Sequence, residues 1–130
     1  MTTVSTQWFS SCWYFFVTEC YLGGMDLYVQ EFGQNKTHDE FYTDLNIRAQ
    51  FNNFVQFIVA RYANEPTVMA WELANDPRCN SSTVPSASWN TNTVTQWDAD
   101  ESRFVKSIDP NHLVTSGYAH ILSLSTAFLF

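Results

Sequence analysis

The sequence predicts an α/β fold in which helices alternate with buried strands of a parallel sheet. Three observations carry this. From Ile47 through Phe51, Phe54, Val55, Ile58 and Val59 to Tyr62, apolar residues recur at three-and-four spacing between polar ones, the signature of an amphipathic helix. Directly after it, Thr67-Val68-Met69-Ala70-Trp71-Glu72-Leu73 is too short for a helix and apolar enough for a strand buried on both faces. The pair then repeats: Val94, Trp97, Phe104, Val105 and Ile108 share one helical face, and His112-Leu113-Val114-Thr115-Ser116 reads as a second strand. Such alternation indicates parallel strands joined by helical crossovers, which are right-handed.

The punctuation supports each element in order. Thr43 or Asp44 can cap the first helix, and Asn64 followed by Pro66 ends it, because proline drives the preceding residue out of helical geometry. The first strand runs into Ala74-Asn75-Asp76-Pro77. Asn80 to Asn92 is rich in Ser, Thr and Asn and reads as a surface loop. Asn92 or Thr93 can cap the second helix, and Asp109-Pro110-Asn111 stops it. The apolar helix stripes are read as core.

Composition narrows the function classes. The chain has 130 residues, 45% of them hydrophobic and 17% aromatic, enough for one domain with a core. Six basic residues stand against thirteen acidic ones, a net charge of −7, and no Lys or Arg precedes Lys36. Without a basic patch, nucleic acid and anionic membrane surfaces are not expected partners. Abundant aromatic rings suit stacking on sugars as well as core filling. Met1 to Ser11 lacks the basic start and apolar stretch of a signal peptide, and the run Ile121 to Phe130 is far below the roughly 20 residues of a membrane span. Cys12, Cys20 and Cys79 have neither the paired spacing of a zinc site nor the even count of a disulfide framework, so cysteine does not fix the compartment. No metal and no cofactor is expected. Asn35-Lys36-Thr37 and Asn80-Ser81-Ser82 would be glycosylation acceptors in an exported chain.

In parallel α/β folds chemistry gathers where strands end, and Asn75 and Asp76 stand there. The stretch from Ala70 to Cys79 resembles the fourth strand of glycoside hydrolase family 5 mannanases, which ends in Asn-Glu-Pro. Gly23-Gly24-Met25-Asp26-Leu27-Tyr28-Val29, His38-Asp39-Glu40-Phe41-Tyr42-Thr43, Arg61-Tyr62-Ala63-Asn64 and Lys106-Ser107-Ile108-Asp109-Pro110-Asn111-His112 resemble the same enzymes in the same order. The first two segments look specifically like the fungal endo-β-1,4-mannanase branch. The resemblance implies a partial TIM (β/α)8 barrel covering roughly the third to fifth strands, with residues 23–117 as barrel, 1–22 as a divergent N-terminal segment and 118–130 as a divergent tail. It further implies hydrolysis of internal β-1,4-mannosidic bonds, β-mannan as substrate and an extracellular location. Asp76 takes the general acid/base position, Asn75 binds the sugar's 2-hydroxyl, and Glu72 supports the site from the barrel interior.

Three departures from the family bear on activity. Asp76 replaces Glu, which sets the carboxylate back by ~1 Å, enough to cost about a hundredfold. A retaining glycosidase needs two carboxyl groups about 5–5.5 Å apart, and the family's nucleophilic Glu on the seventh strand has no counterpart here. Only part of a barrel of roughly 250 residues is present. Glu72 cannot substitute, being about 13 Å from Asp76 along a straight strand. Asn64-Glu65-Pro66 matches the motif literally, but it precedes the strand and so belongs to the opposite, structural face. His38 and Asp39 are expected in an exposed loop, and His112 in a structural role. In relatives the Cys of Pro-Arg-Cys pairs within the next loop, which has no Cys here, so Cys79 is expected as a free thiol.

Two readings follow: a mannanase by ancestry with Asp76 as acid/base, or a non-catalytic remnant that binds sugar or self-associates through open sheet edges. This truncated chain is expected to be inactive, and either oligomeric or loosely packed. An unrelated small α/β interaction module is the third alternative.

Overall fold

The structure, a computed structural model, describes residues 24–75, 77–78 and 82–117. It opens with a helix that periodicity did not single out, α1 (Met25–Phe32), which buries Met25, Asp26 and Val29. A turn through Gln34 and Asn35, both at positive φ, leads to a 3₁₀ turn over His38–Phe41. Helix α2 (Leu45–Tyr62) follows with Asp44 as its cap: the carboxylate accepts from the backbone N–H of Asn46 and Ile47 at 2.9 and 3.0 Å. That satisfies two of the donors every helix start leaves open. Its buried face is Ile47, Phe51, Val55 and Val59, the centre of the expected three-and-four stripe; Ile58 is half-buried, and Phe54 and Tyr62, also read as core, are corrected to the exposed side at 46% and 40% exposure.

The first strand departs from its expected limits. It is β1 (Ala70–Asn75), beginning later and running further than Thr67 to Leu73. Glu65 explains the late start, since its carboxylate accepts from the Thr67 N–H and hydroxyl while its backbone C=O takes the Val68 N–H. These bonds hold 65–68 in a turn. Burial on both faces is also corrected. Trp71 and Leu73 are buried against the helices, whereas Ala70 and Glu72 on the other face are only half-buried.

Helix α3 (Thr93–Ile108) crosses back to β2 (Leu113–Gly117), which pairs in parallel with β1. Neither expected cap bonds to α3: Asn92 makes no side-chain cap bond, and the Thr93 hydroxyl instead accepts from Asn90 N–H at 3.2 Å. The core lies between α2, α3 and the helix-facing side of the sheet. Phe41, Tyr42, Phe51 and Trp97 form its aromatic centre, with ring centroids 5.2 Å apart for Phe41 and Phe51 and 5.3 Å for Tyr42 and Trp97. Edge-on packing at such distances adds to plain area burial.

Candidate active site

Both strands point the same way, so their C-terminal ends, Asn75 and Gly117, share one side of the sheet. The ladder is not straight there. Ala70, Trp71 and Glu72 lie level with Leu113, Val114 and Thr115, but Asn75 lies level with Gly117, so three steps along β1 match two along β2. This is a β-bulge, the device that re-aims a strand next to active sites. The advance from Glu72 to Asn75 is therefore ~7 Å, not the ~10 Å of an unbroken strand. Across from the bulge only glycine fits: a Cβ on Gly117 would run into the Ala74 carbonyl oxygen and Glu72 Oε1.

Glu72 is half-buried on the face away from the helices, and burial pushes its carboxyl up. It reaches toward Gly117 at the strand end. Asn75 closes β1, while Asp76 and Cys79 lie outside the described residues.

The 3₁₀ turn braces the chain that leaves β1. The Tyr42 hydroxyl accepts from the Arg78 N–H and donates to the Arg78 carbonyl, both at 3.0 Å. His38 N–H donates to the Thr83 hydroxyl at 2.8 Å. Asp39 takes the Ser86 N–H at 3.0 Å on one oxygen and the Ser86 hydroxyl at 2.6 Å on the other. Burial pushes the Asp39 carboxyl up, but the bonds from Ser86 and Thr37 outweigh it and leave it below its ordinary value. His38 Nδ1 stands 2.5 Å from Asp26 Oδ1, joining the brace to α1. The expectation of His38 and Asp39 in an exposed loop is thus corrected: they are 6% and 2% exposed. The fold spends these polar groups on holding Arg78, Thr83 and Ser86 against α1 and the core. A local signal was available, since Glu40 at the third position accepts the Thr37 N–H at 2.8 Å, half of the Thr-x-x-Glu box that starts helical turns. The partners, about 45 residues away, have no such signal.

The opposite end of the sheet is structural. Asp109, 0% exposed, accepts from Trp71 Nε1 at 2.8 Å and from the backbone N–H of Asn111 and His112 at 2.9 and 3.1 Å. His112 Nδ1 lies 2.5 Å from the same carboxylate, as its expected structural role requires. Asn64-Glu65-Pro66 is at this end, where the Glu65 carboxylate serves the turn before β1.

Among the described residues no group of three His, Cys, Asp or Glu side chains is placed to hold a metal ion, and no helix is long and apolar enough to cross a membrane.

Comparisons with known proteins agree with this geometry. The model of the GH family 5 beta-mannosidase-like family matches residues 15–128. Mannan endo-1,4-beta-mannosidase A of Hypocrea jecorina is 43% identical over 95 residues, covering 73% of this chain and 20% of that protein. The enzyme of the same name from Podospora anserina is 39% identical over 95 residues, again 73% of this chain, and 23% of its own length. Among solved structures, the endo-1,4-beta-mannanase of Rhizomucor miehei superposes with a TM-score of 0.70 at 36% identity, covering 74% of this chain and 29% of that one. The endo-beta-1,4-mannanase of Thermotoga petrophila gives 0.64 at 38% identity, covering 74% and 21%. The chain thus spans about a fifth of the length of the curated relatives it matches. With a family model matched along most of its length and its parallel α/β unit superposing on mannanase barrels, this chain belongs to the β-mannosidase-like group of glycoside hydrolase family 5.

Proposed function

We propose that this chain is a section of a retaining endo-β-1,4-mannanase barrel, roughly its third to fifth strand units, in which the end of β1 is the acid/base corner of the site. The observation that carries the reading is the strand end itself: a parallel strand of Ala-Trp-Glu-Leu-Ala-Asn, bulged before Asn75, in a chain whose relatives are mannan endo-1,4-beta-mannosidases. On this reading Asp76 stands at the proton-donor position and Asn75 orients the sugar. Glu72, half-buried and raised by burial, supports them from the barrel interior. On the same reading residues 23–117 are the barrel portion that resembles the mannanases, and 1–22 and 118–130 diverge from their sequences, although the family model reaches over 15–128. The parent enzyme acts on β-mannan outside the cell.

The 130 residues do not hydrolyse mannan by themselves. Retention requires a nucleophile and an acid/base on opposite sides of the scissile bond, and one strand-end carboxylate cannot perform both steps. The sheet favours association instead. Among the described residues β1 and β2 pair only with each other, and Met69 and Leu113 at their starts are 67% and 47% exposed. Open edges of this kind recruit further strands.

The test is reducing-sugar release from soluble galactomannan by the purified chain and its Asp76→Ala and Asp76→Glu variants. All three should match the no-enzyme blank. Release that disappears in Asp76→Ala, or that emerges in Asp76→Glu, would overturn the reading of the chain as inactive. Size-exclusion chromatography should show oligomers, and a sharp monomer peak would refute edge association.

A further inference from the structure

We propose that Asn35 is an N-linked glycosylation site. The triplet Asn35-Lys36-Thr37 supplies the acceptor pattern, and the fold adds what the pattern lacks. A glycan must leave the folded protein from a point that nothing else covers. Asn35 is exposed at the turn between α1 and the 3₁₀ segment, with φ 72° following Gln34 at φ 47°. Two successive residues at positive φ make this turn, and asparagine tolerates that conformation better than most residues.

Its neighbours are committed to other side chains while Asn35 is not. Lys36 Nζ pairs with Asp44 at 2.9 Å and Glu40 at 3.3 Å, and the Thr37 hydroxyl donates to Asp39 at 2.6 Å. The Asn35 side chain forms no hydrogen bond among the described residues, so the fold gives up nothing when its amide is substituted. The place has a consequence. Asn46 at the start of α2 donates to the Phe32 carbonyl at 3.0 Å, tying this turn to the N-terminal end of α2. A helix that leads into a parallel strand starts at the side where that strand ends, so the glycan stands on the rim of the candidate active-site face.

The chemistry balances with a lipid-pyrophosphate-linked oligosaccharide as donor. Asn35 Nδ2 bonds to C1 of the reducing-end sugar and the C1–O bond to pyrophosphate breaks. The pyrophosphate leaves with the bonding electrons, and the amide loses a proton.

The proposal rests on export of the parent enzyme, and the test separates the two by supplying export. The full chain, placed behind a cleavable secretory leader, is translated with microsomes, and protease-protected chains are recovered. These are treated with peptide-N-glycosidase in heavy-oxygen water, and the peptide holding residue 35 is read by mass spectrometry. Conversion of Asn35 to labelled Asp in most protected chains is the expected result, retained in Thr37→Ser and accompanied by loss of one mobility step in Asn35→Gln. Circular dichroism of Asn35→Gln should match the parent chain. Protected chains with unmodified Asn35 would overturn the proposal, whatever the chain's own route of export.

Discussion

Replacing Asp109 with alanine tests how the N-terminal end of the sheet is held. Its carboxylate joins the middle of β1 through Trp71, the end of α3 and the start of β2 through Asn111 and His112. Burial alone would push this carboxyl up, yet the bonds from Trp71 and His112 hold it down at about 2. From an ordinary 3.8 to about 2, the linkage is worth ~2 kcal/mol. Because the folded value is the lower one, that contribution is complete above 3.8 and disappears as pH falls toward 2. Truncation to alanine goes further, leaving a buried indole N–H and two backbone N–H groups without this acceptor. We expect roughly 3–5 kcal/mol of lost stability at neutral pH. Asp109→Asn keeps the shape and one acceptor oxygen and should lose about 1–3 kcal/mol. The assay is urea unfolding followed by far-ultraviolet circular dichroism, at a single protein concentration so that association does not move the midpoint. The gap between the parent chain and Asp109→Asn should narrow as pH is lowered below 3.8. An alanine variant within ~0.5 kcal/mol of the parent, the scale of an ordinary surface change, would refute the reasoning.

Three further outcomes follow from the same geometry. Gly117→Ala places a methyl group against the Ala74 carbonyl oxygen and Glu72, so the bulge must open; a cost of ~1–3 kcal/mol is expected, with faster amide exchange at the ends of β1 and β2, and unchanged exchange would contradict it. Arg48→Met strands Glu101, which is 1% exposed and whose carboxyl burial pushes up despite the 3.0 Å bond from Arg48. Because the folded value is the raised one, the ionised form costs stability above it. The variant should lose ~3–5 kcal/mol at neutral pH, and less near pH 4.5, Glu101's ordinary value, where more than half of the folded carboxyl is protonated because its value is raised; equal losses in thermal melts at both pH values would count against the pairing. Tyr42→Phe removes both bonds to Arg78, which should cost ~1–2 kcal/mol and speed exchange of the Arg78 amide without changing helix content.

Local pattern sufficed for α2 and α3 and for their alternation with β1 and β2, but not for α1. The stripe Ile47, Phe51, Val55 and Val59, the Asp44 cap and the Asp109-Pro110 stop are decided by contacts within a turn or two, so they are written in adjacent residues. The motif order that places this chain among the family 5 mannanases is local in the same sense, and it located the strand end as the place of interest. Other features depend on groups that meet only after folding. Glu101 falls on the buried face of α3, four residues after Trp97 and four before Val105, and is tolerated there because Arg48 arrives from α2. Asp39 and His38 look like loop residues until Ser86 and Thr83 come to cover them. The bulge before Asn75 exists only in register with β2, and the need for glycine at position 117 follows from that register. Charge, periodicity and punctuation are properties of neighbouring residues, so the sequence by itself determined the family, the α/β alternation and the limits of α2 and α3. Burial of a carboxylate and the register of two strands are properties of distant residues brought together, and only the tertiary structure decided those.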